Sequence, residues 1–290
     1  MALDLTVSPL SYALGAAVTG LDIRRALQPD EVAQLRDAWL QHLVVVFPAV
    51  ELTLEQQVRF SRYFGELEIH PVPSLRHAQY PEVFEVTNRK INGRPSETGE
   101  IGRKWHSDGA FTVRPPTASL LHCRAIPRAG GSTWFNNMYM AYETLSLTMK
   151  KTIEQLEVVN DLFGPHATPA YRFTSDERKA EEDRKQVPGV IQPVVRVHPE
   201  TGRKALYLNP TVTRHILGMS VEESDSILQF LYRHSVKPEF VYSHHWGVND
   251  LVMWDNRCAM HLAPADYARD EIRQMYRTTL TGEPHGRLLQ

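Results

Sequence analysis

His106 and Asp108 stand one residue apart in the stretch Trp105-His106-Ser107-Asp108-Gly109. On an extended segment, side chains at i and i+2 share a face, so an imidazole nitrogen and a carboxylate oxygen can meet at one ion. A third ligand must come from a distant part of the chain. Of the 13 histidines, His261 stands out, because it follows the strand-like run 251–256 and precedes another that ends in Thr278-Thr279-Leu280. Two histidines and one carboxylate on a triangular face leave coordination positions open, the ligand set of a non-haem Fe(II) centre that uses O2. Zn2+ accepts the same donors, so a metal hydrolase is the first rival reading.

Beyond the triad lie two cations. Arg273 and Arg277 are four residues apart among β-formers. On an extended strand both point to one face, back toward the metal. A centre of this type works with a 2-oxo acid, whose far carboxylate needs a buried cation. Arginine suits that role because its planar fork binds a carboxylate bidentately. The same residues also fit a β-roll that binds a small anion without turnover, which is the second rival.

The elements that position these residues are legible in part. Residues 29–42 place Val32, Leu35 and Trp39 on one helical face, with Asp30 as the expected N-cap. Thr53 with Gln56, and Ser220 with Glu223, have capping-box spacing at two further helix starts. Strand signals fall at 43–48, 83–88, 117–126, 132–137, 240–246, 249–256 and 275–282, and residues 190–209 predict a hairpin that turns at 199–202. Many short strands with Gly and Pro turns predict a mainly β fold with flanking helices, a sandwich or barrel-like roll. No linker divides the chain, so residues 1–290 are expected to form one domain. The irregular stretch 163–188 is expected to be a lid over the site.

Composition narrows the function classes. A formal net charge of −2 gives no basis for nucleic-acid binding. No run reaches the ~18 apolar residues of a membrane span, and the first residues lack the pattern of a secretion signal. Two cysteines, Cys123 and Cys258, make no disulfide framework. They are expected to be buried apolar side chains, and the protein cytoplasmic. His244 and His245 are adjacent, so on a strand one packs and the other is exposed. His122 and His198 are read as strand or turn residues, and Trp105 and Trp254 as core walls flanking the ligands. Asp255 and Asn256 are candidates for orienting ligand-bearing loops, and spacing alone does not decide it.

Taken end to end, the sequence resembles the TauD/TfdA family, the taurine dioxygenase and 2,4-D dioxygenase relatives among Fe(II)/2-oxoglutarate enzymes. The blocks that carry the resemblance are FSRYFGELEIHP, WHSDGAF, GGSTWFNNMYMAYETLS, VVRVHPETGRKALYLN and NDLVMWDNRCAMHLAPADY. The resemblance implies a double-stranded β-helix, the jelly roll shared with cupins. It implies His106, Asp108 and His261 as iron ligands. Thr133 and Arg273 match the residues that hold the 2-oxoglutarate side carboxylate, after a one-residue shift between His261 and Arg273. Arg277 serves the cosubstrate side of the pocket and, with His70 and the Gly109 N–H, the substrate anion. Tyr207 and Leu162 match pocket-lining positions. Homo-oligomers, dimers or tetramers, are common in the family.

Two departures bear on the substrate. The positions that hold the ammonium group of taurine are here Ile101 and Gly102, and the pocket tyrosine past His70 is here Pro73. The expected substrate is therefore a small anion without an amine: a sulfonate, sulfate ester or aryloxyalkanoate hydroxylated beside its heteroatom, with succinate and CO2 released. Taurine dioxygenase proper is the alternative.

Overall fold

The computed structural model describes residues 5–69, 76–91, 94–162 and 189–289. The expected lid at 163–188, His70 and Pro73 lie outside them. Among the described residues the largest sheet has seven strands, in the order Thr6–Pro9, Ala16–Thr19, Val44–Phe47, Leu251–Asp255, Ala118–Ala125, Gln274–Thr279 and Phe84–Thr87. A second sheet places Thr133–Asn137 between Val241–His244 and Ala259–Leu262, and a third runs Thr213–Ile216, Glu157–Asn160, Val190–Pro193 and Arg287–Leu288.

The run Val44-Val45-Val46-Phe47 does not alternate because both faces of its sheet are covered. Val44 and Val46 turn into the roll, where Leu121, Val252, Trp254 and Met275 meet Phe135 and Met260 of the facing sheet. Val45 and Phe47 turn outward and, with Leu120, Leu251 and Met253, pack on Leu35, Trp39 and Phe60 of two helices. These helices, Pro29–His42 and Leu54–Arg62, cover the outer face of the large sheet. The fold is thus mainly β with flanking helices, the expected double-stranded β-helix.

Helix boundaries follow local chemistry. Thr53 Oγ1 accepts from Gln56 N, and Gln56 Oε1 accepts from Thr53 N. Ser220 and Glu223 repeat this reciprocal pair at the start of Val221–Ser235. Asp30 is not the N-cap of the first helix. Pro29 takes the first helical position, where its missing N–H costs nothing, and this moves the cap back to Gln28. Asp30 falls in the first turn, where a negative charge complements the helix dipole.

The hairpin is also shorter than expected. Val195–Val197 pairs with Lys204–Leu206, whereas Val190–Pro193 pairs with Glu157–Asn160 in another sheet. The short helices Met138–Glu143 and Leu147–Ile153 and the strand Ala259–Leu262 had no clear sequence signal. Ala259, Met260 and His261 are all buried, so that strand shows no period of two. Among the described residues, no helix is long and apolar enough to cross a membrane.

Candidate functional site

Two backbone hydrogen bonds bring the two candidate ligand histidines together. His106 N donates to His261 O at 3.0 Å, and His261 N donates to His106 O at 2.8 Å. This single antiparallel bridge sets the two imidazoles side by side, ring centroids 4.1 Å apart. Asp108 Oδ1 lies 3.8 Å from His106 Nε2 and 4.0 Å from His261 Nε2. Both separations are too long for a hydrogen bond. They match two ligands that each sit about 2.1 Å from one ion, which can stand at most ~4.2 Å apart. Three donor atoms converge on a gap of cation size, so the residues fit the metal that the ligand set implies.

Each candidate ligand is supported by its neighbours, the two histidines in different ways. His106 Nδ1 donates to Lys104 O at 2.8 Å, which leaves the Nε2 lone pair facing Asp108. His261 packs against Trp254, ring centroids 4.7 Å apart, and its Nδ1 is buried with no partner among the described residues. Burial, and then the neighbouring His106, push the His261 imidazole well below its ordinary range, so it stays neutral. Burial lowers His106 as well.

Asp108 is the best supported of the three. Ser119 Oγ donates to Asp108 Oδ2 at 2.6 Å. Asn256 Nδ2 donates to Ser119 Oγ at 3.1 Å, and Asn256 Oδ1 accepts from the Asp108 amide and from Trp254 Nε1. With Oδ2 engaged, Oδ1 faces the histidines, and Arg277 Nη1 donates to it at 3.2 Å. Burial alone would raise the Asp108 carboxyl. Arg277 and the Ser119 hydrogen bond outweigh that and hold it well below the usual carboxylate range.

Arg273 forms the second feature of the site. It is 5% exposed, and among the described residues it has no carboxylate partner. Its Nε donates to Gly131 O at 3.0 Å and its Nη2 to Thr133 Oγ1 at 3.1 Å. Burial lowers the guanidinium to about 10, so it remains charged at neutral pH. The strand that follows shifts register against Ala118–Ala125 between Gln274 and Met275, where Arg124 of the partner strand is passed over. Both guanidinium groups reach the inner face of the roll.

Gly109 follows Asp108 at φ +60°, and a Cβ built there would lie 2.3 Å from Pro116 Cδ. Only glycine fits this turn. Ala110, Leu162, Tyr207 and Val212 then form one small buried cluster, which brings Leu162 and Tyr207 together next to the Asp108 turn.

The family model described as "Taurine catabolism dioxygenase TauD, TfdA family" matches residues 6–279. The chain belongs to the TauD/TfdA family. It is 31% identical over 271 residues to the alpha-ketoglutarate-dependent 2,4-dichlorophenoxyacetate dioxygenase of Cupriavidus pinatubonensis, covering 89% of this chain and 92% of that one. A taurine dioxygenase from Burkholderia xenovorans superposes with a TM-score of 0.82 at 34% identity, over 99% of this chain and 95% of that one. The crystal structure of AAD-2 in complex with Mn(II) and N-oxalylglycine superposes with a TM-score of 0.84 at 32% identity, over 99% of both chains.

In this TauD/TfdA chain several neighbours of the site carried little or no sequence signal. Ser119 is one serine within a β-rich run, and only its hydrogen bond to Asp108 reveals its purpose. Asn256 and Asp255 diverge in role. Asn256 turns toward Asp108, while Asp255 turns away to Arg257 and His198. His244 is buried and His245 exposed, the expected split. Cys123 and Cys258 are free and buried.

Proposed function

We propose that this chain is an Fe(II)- and 2-oxoglutarate-dependent dioxygenase, one domain over its whole length, that hydroxylates a small organic anion beside a heteroatom. His106, Asp108 and His261 would hold the iron, which when bound supplies O2 activation coupled to conversion of 2-oxoglutarate to succinate and CO2. The observation that carries the reading is a buried, carboxylate-free Arg273 beside Thr133, within the same roll as three converging ligand atoms. A hydrolytic zinc site has no use for such an anchor. The anchor takes the far carboxylate of the 2-oxo acid and so fixes the acid's direction in the roll. Trp254 and Phe135 pack against His261 and keep water from the ligand side.

Arg277 gives the site its second anion contact. It pairs with Asp108, and its Nε is buried without a partner among the described residues. A strong-acid substrate anion would take that free donor together with the Gly109 N–H and His70. Leu162 and Tyr207 would line the apolar end. Neither Ile101 nor Gly102 has a side chain that could pair with an ammonium group, and a buried unpaired –NH3+ costs several kcal/mol. The substrate class that fits is a sulfonate, sulfate ester or aryloxyalkanoate with an uncharged tail. We take the enzyme to work in the cytoplasm, as two buried free thiols allow, and as a homo-oligomer.

A substrate panel with Fe(II) and 2-oxoglutarate, read as succinate formed, tests this reading. Aryloxyacids, alkyl sulfates and alkyl sulfonates should exceed taurine in kcat/KM. Taurine as the best substrate would overturn the pocket assignment and leave the iron and 2-oxoglutarate assignments standing.

A further inference from the structure

A threonine hydroxyl offers one hydrogen and two lone pairs. At Thr133 both lone pairs are taken. Trp246 Nε1 donates to Oγ1 at 2.9 Å, and Arg273 Nη2 donates to it at 3.1 Å. The one hydrogen must therefore go to a third acceptor, and none of the described residues receives it. An indole N–H can only donate, so Trp246 cannot exchange roles with the hydroxyl.

Trp246 is held firmly in that role. Its ring meets His244 edge-on at 4.6 Å, and His244 pairs with Thr133 across neighbouring strands. Asp250 closes the turn after Trp246 by accepting from Gly247 N at 2.7 Å and Ala49 N at 3.0 Å. The buried indole is thus fixed on the Thr133 oxygen.

We infer that Trp246 is a positioning residue for the cosubstrate: by filling a lone pair of Thr133, it commits that hydroxyl to donate to the far carboxylate of 2-oxoglutarate. The inference rests on the proposed function and adds a residue to it. Arg273 supplies charge, Thr133 supplies a directed hydrogen, and Trp246 supplies the direction. An acid without a far carboxylate leaves both donors unpartnered in a buried place, so the arrangement selects dicarboxylates.

The test is calorimetric titration of the Mn(II)-loaded protein with 2-oxoglutarate and with N-oxalylglycine, alongside steady-state kinetics. Trp246→Phe removes one hydrogen bond and should weaken both ligands about 5-fold. Mn(II) stoichiometry and kcat at saturating 2-oxoglutarate should hold, so the loss falls on KM. In a Thr133→Val background the same substitution should add nothing, because no hydroxyl remains to direct. In a Thr133→Ser background the loss should return. Equal loss with and without the hydroxyl would make Trp246 a packing residue and overturn the inference. Full affinity in Trp246→Phe would overturn it too. If the wild-type protein binds no 2-oxoglutarate, the proposed function fails and takes this inference with it.

Discussion

Among the described residues, two buried clusters each bring a histidine, an aspartate and a third donor within 4.8 Å of one another: His106, Asp108 and His261, and His198, Asp255 and Cys258. Their residue types are nearly the same and their bonding is opposite. In the second cluster every acceptor is met. Asp255 accepts from Arg257 Nε at 2.8 Å, Arg257 Nη2 at 2.6 Å, the Arg257 amide at 2.9 Å and His198 Nε2 at 3.0 Å. His198 Nδ1 accepts from the amides of Glu200 and Thr201, so it has no lone pair left for a metal. Burial pushes the Cys258 thiol well above its ordinary range and keeps it protonated. In the first cluster the ligands face one another at 3.8 and 4.0 Å without bonding. A buried polar group without a partner is costly, so such a gap persists where something else fills it. Proximity alone does not make a site; unspent lone pairs do.

The largest expected effect comes from removing a ligand of the first cluster. Asp108→Ala, His106→Ala and His261→Ala should each abolish turnover and Mn(II) binding, with far-UV circular dichroism unchanged. Loss of a supporting group typically costs about 10–100-fold, and a direct ligand must exceed that. An Asp108→Ala enzyme that keeps more than about a tenth of its activity would remove this carboxylate from the metal centre.

Arg273→Ala comes next. Truncating one partner of a desolvated charge pair costs ~3–5 kcal/mol, roughly 10^2- to 10^3-fold or more in affinity. The KM for 2-oxoglutarate should rise by that factor, and the KM for the primary substrate far less. An unchanged 2-oxoglutarate KM would transfer the anchor to Arg277 or another cation.

The second cluster should respond in stability and not in metal affinity. Asp255→Asn leaves Arg257 buried with its pairing weakened, at a cost on the order of 3 kcal/mol, while Mn(II) affinity stays within about twofold. Burial raises the Asp255 carboxyl, but Arg257 and His198 overcome it and hold it well below the ordinary range. Its contribution is therefore complete above the carboxylate range of unfolded chains, and it fades as pH falls through the lower folded value. Urea titrations from neutral to acid pH should show the wild-type advantage over Asp255→Asn shrinking as pH falls. An advantage that grows on acidification would contradict the ion-pair account.

How much of this contrast could be read from the sequence depends on range. His106 and Asp108 are neighbours, so an i, i+2 argument brought them together. The wall tryptophans and the two capping boxes were local and legible for the same reason. His261 lies on a distant strand that has no alternation, so its place between two strand-like runs singled it out and the family blocks then matched it. Ser119 and Trp246 act only through partners far along the chain, and no local pattern marks a serine or a tryptophan as the residue that orients a neighbour. Asp255 and Asn256 show the limit most sharply. They are adjacent, both polar and both buried, and only the direction of each side chain separates a support of the metal site from a structural ion pair.

The smallest expected effect sharpens that last distinction. Ser119→Ala removes the 2.6 Å hydrogen bond on Asp108 Oδ2 and leaves the ligand oxygen in place. Metal affinity should fall by about 10-fold, at the low end for a supporting contact, with the 2-oxoglutarate KM unmoved. A loss as large as that of Asp108→Ala would mean that Ser119 does more than orient the carboxylate.

The central claim is tested most directly by following O2 uptake and succinate release together, using Fe(II), 2-oxoglutarate and 2,4-dichlorophenoxyacetate or an alkyl sulfate. The account predicts one succinate per O2 in the wild-type protein, dependent on Fe(II) and absent from Asp108→Ala. Undiminished succinate release by Asp108→Ala would contradict it, as would a wild-type protein that consumes no O2 with any anion and instead hydrolyses an ester when loaded with Zn2+.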